Sequence, residues 1–142
     1  MISEIEQTKY SNKDDLKVFE VLVKWIDEHK KDRKPITYSE LVNEVSAYSI
    51  IPVNVGTHLG RVSNFCKENN APAISAIVGS IEKCEPSKGF FEVLGCADLP
   101  MEKKLEVWMP LYNAVYDYSL EDWKKLRESY KIYIENKGEE DE

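Results

Sequence analysis

The polar residues best spaced to contact a ligand lie on an amphipathic helix predicted between about residues 54 and 66. One buried face is indicated by apolar residues at i, i+4, i+7 and i+11: Val55, Leu59, Val62 and Cys66. Residues three or four positions apart share one side of a helix. The polar residues that lie off the apolar face are Asn54, Thr57, His58, Arg61 and Asn64, and the last four are the candidates for contact with a ligand. Because arginine and asparagine can form paired hydrogen bonds with base edges, this spacing predicts a nucleic-acid-binding surface. An ordinary solvent-facing helix side is the alternative.

Catalytic chemistry has little support in the sequence. The chain has two histidines, His29 and His58, to serve as general bases. Cys84 stands between Glu82 and Glu85, whose negative charges oppose formation of a reactive thiolate. No glycine-rich segment ends in the Lys-Ser/Thr pair that holds phosphate and metal. We therefore expect a binding protein, not an enzyme, and no cofactor.

The cysteines indicate neither a metal site nor a disulfide framework. There are three, Cys66, Cys84 and Cys96, and no two of them have the close spacing of zinc ligands. His58 with Cys66 would supply half of a zinc site. Reduced thiols in a cytoplasmic protein are the expected state.

The first helix is predicted to begin after Ser11 and Asn12, which are N-cap candidates followed by Asp14 and Asp15. Carboxylates in a first turn also favour the positive end of the helix dipole. The apolar face follows three- and four-residue steps through Leu16, Phe19, Leu22, Val23 and Ile26. The helix is expected to end in a charged run before Pro35.

A second helix is predicted from Tyr38 to about Ser46. Thr37 and Glu40 have the spacing of a capping box, in which each side chain bonds the other residue's backbone N–H. The third helix, which carries the polar residues described first, is expected to begin after Asn54.

A β-hairpin is predicted after these helices. The apolar run Ile74–Ile81 indicates a buried strand, and the aromatic, β-branched run Phe90–Leu94 indicates its return strand. Lys83 and Lys88 lie on the connecting loop, where they could contact phosphates. The order of helices and hairpin predicts an α+β fold: a winged-helix-like three-helix core with a β-hairpin wing and two additional C-terminal helices.

The C-terminal helices extend the predicted domain from about residue 99 to 136, so a single domain covers residues 1–136. Pro110 is expected to kink or divide the first of these helices. Ser119 is expected to cap the second, and residues 137–142 form an acidic tail predicted to be disordered. Three tyrosines are candidates for a protein-binding surface, with packing against the core as the alternative: Tyr116, Tyr118 and Tyr133.

A family resemblance covers about residues 36–94. The chain resembles a group of small bacterial and phage winged-helix proteins whose pattern has a Tyr-x-Glu-Leu helix, a Gly-x-x-Leu-Gly helix and a Gly-Phe return strand. The matching segments are Ile36–Leu41, Gly56–Val62, Ile74–Val78 and Gly89–Phe91. The resemblance implies the winged fold and a bacterial or phage origin, but no particular chemistry.

The Tyr-x-Glu-Leu helix and the glycine-containing helix after it are also distantly similar to the DNA-binding domain of alkylguanine-DNA alkyltransferases. Those enzymes follow the third helix with a Pro-Cys-His-Arg nucleophile segment. Here the corresponding run, Ile74–Ile81, contains no cysteine, so alkyl transfer is not implied.

The charge distribution leaves two kinds of partner open. The net charge is −7, with net charges of 0, −3 and −4 over residues 1–37, 38–100 and 101–142. Nucleic-acid-binding proteins usually present a basic face, so the acidic balance disfavours DNA as the partner, whereas the order of elements favours it. The alternative is an acidic inhibitor or adaptor, such as a phage counter-defence protein, that targets a nucleic-acid-binding host protein by imitating phosphate charge. A homodimer is also compatible with the sequence.

Overall fold

A computed structural model describes residues 8–45, 55–80, 85–86 and 100–140. Within these ranges the chain forms five α-helices. They are α1 (Lys13–Glu28), α2 (Tyr38–Val45), α3 (Val55–Glu68), α4 (Met101–Asp117) and α5 (Leu120–Glu140). There are also two single-turn 3-10 helices: Thr8–Tyr10 precedes α1, and Ile74–Ile77 follows α3.

The predicted helix starts are confirmed where the structure describes them. Asn12 caps α1, since its side chain accepts hydrogen bonds from the backbone N–H groups of Asp14 and Asp15. The capping box of α2 is also present: the Glu40 N–H donates to Thr37 Oγ1 and the Thr37 N–H donates to Glu40 Oε1, both at 3.1 Å. The predicted cap of α3, at residue 54, lies outside the described residues.

The core is centred on α1, which packs against α2, α3 and α5. Phe19 of α1 is fully buried and makes edge-on contacts with two aromatic rings of α5, Trp123 at 6.3 Å and Tyr130 at 5.6 Å between centroids. Tyr130 also packs on Phe65 of α3 at 4.3 Å. This aromatic cluster therefore joins three helices that are distant in sequence.

The predicted winged helix is wrong. The run expected to begin a strand starts as the 3-10 helix Ile74–Ile77, and strand pairing in the described ranges is limited to Gly79–Ser80 with Glu85–Pro86 and one bridge between Ile36 and Val78. The architecture is helical, with no sheet that could form a wing among these residues. The resemblance to winged-helix proteins, which depended on that hairpin, is therefore not supported.

The failure of the strand prediction has a physical cause. Ile74 and Ile77 are fully buried against α3 and α4, and the Trp108 indole N–H of α4 donates to the Ala76 carbonyl at 2.8 Å. A short apolar run that is buried on several sides has the same sequence pattern whether it is a strand or a helical turn. The predicted return strand, Phe90–Leu94, and the wing residues Lys83 and Lys88 lie outside the described residues.

Pro110 does not divide α4, which is continuous from Met101 to Asp117. The proline is exposed, so the hydrogen bond that its missing N–H would have made is lost on the solvent side of the helix. Water can hydrogen-bond the freed carbonyl there, and this reduces the cost of the interruption.

The turn that follows α1 holds the C-terminal end of α4. The Lys30 ammonium donates to the backbone carbonyls of Tyr116 and Tyr118, and the Arg33 guanidinium pairs with Asp117. Burial, followed by the charge of Arg33, lowers the pKa of Lys30. Cations are favoured beside the carbonyl end of a helix, so this basic turn joins α1 to α4 electrostatically.

Candidate functional site

A buried carboxylate organises the polar side of α3. Asp15 of α1 is fully buried, and its Oδ1 accepts a hydrogen bond from His58 Nδ1 at 2.6 Å. Arg61 donates to both carboxylate oxygens, from Nε to Oδ2 at 2.7 Å and from Nη2 to Oδ1 at 3.1 Å. We call these three residues the Asp15 cluster. Its bidentate geometry is the strong form of an arginine–carboxylate pair.

The same carboxylate completes the cap of α1. Asp15 Oδ2 accepts from the Asn12 backbone N–H at 2.9 Å, which is the return bond of the capping box. The first turn of α1 and the middle of α3 are therefore fixed by one side chain. The hydrogen bonds to Asp15 named above all come from N–H donors, and the opposite charge of Arg61 lies against the buried carboxylate.

The cluster has one feature of a catalytic dyad and lacks another. A carboxylate that binds His58 Nδ1 leaves Nε2 available as a base, as in hydrolytic triads. In the part of the chain described, however, His58 has hydrogen-bond contacts with Asp15 and Arg61 and none with a hydroxyl or thiol that it could activate. His58 Nδ1 also lies 3.3 Å from Arg61 Nη2. The geometry is that of a structural contact, in which hydrogen bonds and an ion pair hold α1 against α3.

Asn64 extends this polar network toward the N-terminal turn. Its side-chain amide donates to Thr8 Oγ1 at 3.0 Å and to Glu68 Oε1 at 3.2 Å. The Tyr130 hydroxyl of α5 donates to Ser11 Oγ at 2.6 Å. The residues just before α1 are therefore attached to both α3 and α5.

Three of the predicted nucleic-acid-binding residues are thus in the interior. His58, Arg61 and Asn64 have relative exposures of 7%, 8% and 7%, and Thr57 is half-buried. Side chains that read base edges must reach out of the protein surface, whereas these point into contacts between helices. The structure brings these residues together, but on a packed face. The other two predicted residues, Lys83 and Lys88, are not among those described.

Asp15 was not predicted from the sequence to be the partner of these residues. Asp15 precedes Phe19, Leu22 and Ile26 by four, seven and eleven positions, which places it on the buried face of α1. An aspartate in line with a buried stripe needs a cationic or hydrogen-bonding partner. The position of Asp15 within the apolar periodicity of α1 could have indicated a buried carboxylate. It does not identify the partner as Arg61, which lies 46 positions away.

The three tyrosines proposed as a protein-binding surface have different environments. Tyr116 is 1% exposed, and its hydroxyl donates to the Lys34 carbonyl. Tyr118 is half-buried and packs edge-on against Trp123 at 4.7 Å between centroids. Tyr133 is 37% exposed, so it alone of the three presents a large part of its ring to solvent.

We predict that stability falls at alkaline pH because two phenols of α4 are buried. Burial, the largest cause, raises the pKa of Tyr112 from 10 to about 12, and it also raises the pKa of Tyr116. A phenol with a higher pKa in the folded than in the unfolded state holds its proton more tightly when folded. Its contribution to stability is complete below pH 10 and is lost as the pH rises toward about 12. Urea unfolding at stepped pH measures this loss.

The Tyr112→Phe variant is the control for that experiment. It removes one titrating phenol together with its hydrogen bond to the Arg33 carbonyl. We expect lower stability at neutral pH but a shallower decline above pH 10 than in the parent chain. An equally steep decline in the variant would show that Tyr112 is not responsible.

The described residues contain no group of three or more His, Cys, Asp or Glu side chains arranged to hold a metal ion. Among the helices in these ranges, none combines the length and apolarity that crossing a bilayer requires.

Comparison with protein-family models, with curated proteins and with solved structures found no match to this chain.

Proposed function

We propose that this chain is a non-enzymatic protein-binding protein, an adaptor or inhibitor whose partner is a basic nucleic-acid-binding protein. The observation that carries the proposal is the burial of the polar side of α3 in the Asp15 cluster. Arg61, the strongest candidate for a base contact, is used internally by Asp15. Its positive charge is therefore compensated within the protein and contributes little attraction for DNA phosphates.

The overall charge supports the same choice of partner. A net charge of −7 repels a phosphate backbone and attracts a surface rich in lysine and arginine. Complementary charge increases the rate of encounter and selects among partners, even where it adds little to final affinity. A protein that normally binds nucleic acid presents such a basic surface, so an acidic protein can compete for it.

The absence of an activated nucleophile in the Asp15 cluster supports binding over catalysis. His58 Nδ1 is hydrogen-bonded to Asp15, and no described hydroxyl or thiol is hydrogen-bonded to its ring.

We further propose a cytoplasmic location. Cys66 is a buried free thiol, a state that a reducing compartment maintains.

Parallel titrations test the proposal. The purified chain is added, at physiological ionic strength, to a labelled random-sequence DNA duplex and separately to labelled core histones, which represent basic nucleic-acid-binding proteins. We expect saturable binding to the histones and no change in the anisotropy of the duplex. The reverse result, with the duplex bound and the histones not, would contradict the proposal.

A matched variant distinguishes specific from incidental binding in these titrations. Lys31→Glu changes an exposed residue and makes the chain more acidic without adding to any apolar surface. If charge attraction assists binding, this variant should bind the histones at least as tightly as the parent chain and still leave the duplex unbound. Weaker histone binding by this variant would argue that attraction between opposite charges does not contribute.

A further inference from the structure

We infer that the turn following α1 is a docking surface, and that its occupant is a short acidic peptide segment of a partner protein. The basic turn comprises residues 29–34, and it carries the exposed lysines Lys31 and Lys34. This inference goes beyond the proposed function, because it adds a second partner whose charge is opposite to that of the basic protein.

Positive charge is concentrated in the basic turn. With His29 neutral, its six residues contain four cations and one carboxylate, Asp32, for a net charge of +3 in a chain whose net charge is −7. Both acidic groups at the turn are already engaged. Asp32 contacts His29 Nδ1 at 3.1 Å, and Asp117 of α4 is paired with Arg33.

Lys31 and Lys34 differ from the other cations of the turn. The Lys30 ammonium is used by two backbone carbonyls at the C-terminal end of α4. Lys31 and Lys34, by contrast, form no ion pair with a carboxylate in the part of the chain that the structure describes. Lys34 Nζ lies 5.8 Å from the centre of the Trp25 ring, a contact that orients the ammonium and leaves its charge in place.

The backbone that carries these lysines is fixed before any partner arrives. The Tyr112 hydroxyl donates to the Arg33 carbonyl. The Tyr116 hydroxyl and the Trp25 indole N–H both donate to the Lys34 carbonyl. Arg33 has a φ of 49°, a left-handed conformation that is uncommon for residues other than glycine, and these bonds hold the chain in it. A backbone that is already ordered loses little conformational entropy on binding.

Charge complementarity identifies the occupant as an acidic segment, and its size favours a peptide over nucleic acid. Duplex DNA carries a negative charge for about every 1.7 Å of its length, so it would extend past the turn and meet the net negative charge of the chain. A peptide with a few glutamates can contact Lys31 and Lys34 alone. Asp32, which is exposed and lies between them in sequence, also opposes a continuous row of phosphates.

A titration with synthetic peptides tests the inference. The probe is a labelled peptide of alternating glutamate and glycine, and its control has every glutamate replaced by glutamine. Binding to the full-length chain is followed by fluorescence anisotropy. We expect saturable binding of the glutamate peptide that weakens as salt is added, because salt screens exposed charges. Binding of neither peptide, or equal binding of both, would overturn the inference.

Charge-reversal variants locate the contact. Lys31→Glu combined with Lys34→Glu should weaken binding of the glutamate peptide roughly tenfold or more, since both attractive contacts become repulsive. Lys124→Glu combined with Lys131→Glu is the matched control, because it makes the same change in net charge at exposed positions of α5. This control should retain most of the binding. Equal losses in the two double variants would place the contact outside the basic turn.

The remaining outcome concerns nucleic acid. If a labelled DNA duplex bound the parent chain more tightly than the glutamate peptide, and lost that binding in the variant of Lys31 and Lys34, the occupant would be nucleic acid and the inference would fail. Binding of core histones is measured separately and does not depend on these lysines, so failure of the inference is distinguishable from failure of the proposed function.

Discussion

Replacing Asp15 with asparagine is expected to lower the free energy of unfolding by about 3–5 kcal/mol, the typical cost of breaking a buried ion pair. The carboxylate is fully buried and accepts hydrogen bonds from Arg61, His58 and the Asn12 backbone. An asparagine keeps the shape but removes the negative charge that faces the buried Arg61 guanidinium. One of the asparagine's two terminal atoms would also be an N–H donor facing other donors.

Urea unfolding followed by circular dichroism measures this loss. Asp27→Asn is the matched control, because it makes the same chemical change at an exposed position of α1. Such surface changes typically alter stability by less than about 0.5 kcal/mol. Similar unfolding midpoints for the two variants would mean that the Asp15 cluster does not stabilise the fold.

A double-mutant cycle separates the ion pair from other effects of the substitution. Arg61→Gln alone should also destabilise the chain, since it leaves Asp15 buried without its cation. Once Asp15 is already asparagine, Arg61→Gln should cost much less, because the ion pair between the two side chains is already lost. Additive losses in the double variant would contradict direct coupling between the two side chains.

Phe19→Ala is expected to destabilise the chain by a similar amount, about 3–5 kcal/mol, through loss of buried area and creation of a cavity. Phe19 is fully buried and touches both Trp123 and Tyr130 in edge-on geometry. Such aromatic pairs add stability beyond their buried area. Because these rings join α1 to α5, near-ultraviolet circular dichroism should weaken along with the loss of stability.

Lys17→Ala is the control for the cavity, since Lys17 is an exposed residue of the same helix. It should leave the unfolding midpoint nearly unchanged. If Phe19→Ala unfolded at the same urea concentration as Lys17→Ala, the packing of α1 on α5 described here would be incorrect.

Helix starts could be predicted from the sequence because they depend on neighbouring residues. Asn12, Thr37 and Ser119 each precede a helix, and each side chain accepts a hydrogen bond from a backbone N–H two or three positions later. These contacts are local, so the type and spacing of a few residues are enough to identify them. The same holds for the buried face of α1, whose apolar residues follow the helical period.

The failed parts of the prediction depended on tertiary contacts. Ile74 and Ile77 have the composition of a strand, yet packing against α3 and α4 leaves them in a 3-10 turn. The polar side of α3 was assigned to solvent because it lies off the apolar stripe. It is in fact covered by α1 and by the N-terminal turn, and a buried helix can place polar residues inward where partners satisfy them. The apolar periodicity of one helix cannot identify which distant residues pack against its polar side.

The most direct test of the account is NMR observation of the Arg61 side-chain Nε–H group, which donates to Asp15 in the interior. We expect a resolved resonance whose exchange with solvent is slow, which is unchanged when duplex DNA is added, and which exchanges rapidly in Asp15→Asn. An Arg61 Nε–H that exchanges rapidly in the parent chain and shifts on addition of duplex DNA would show that this side of α3 is a nucleic-acid surface, and would contradict the account.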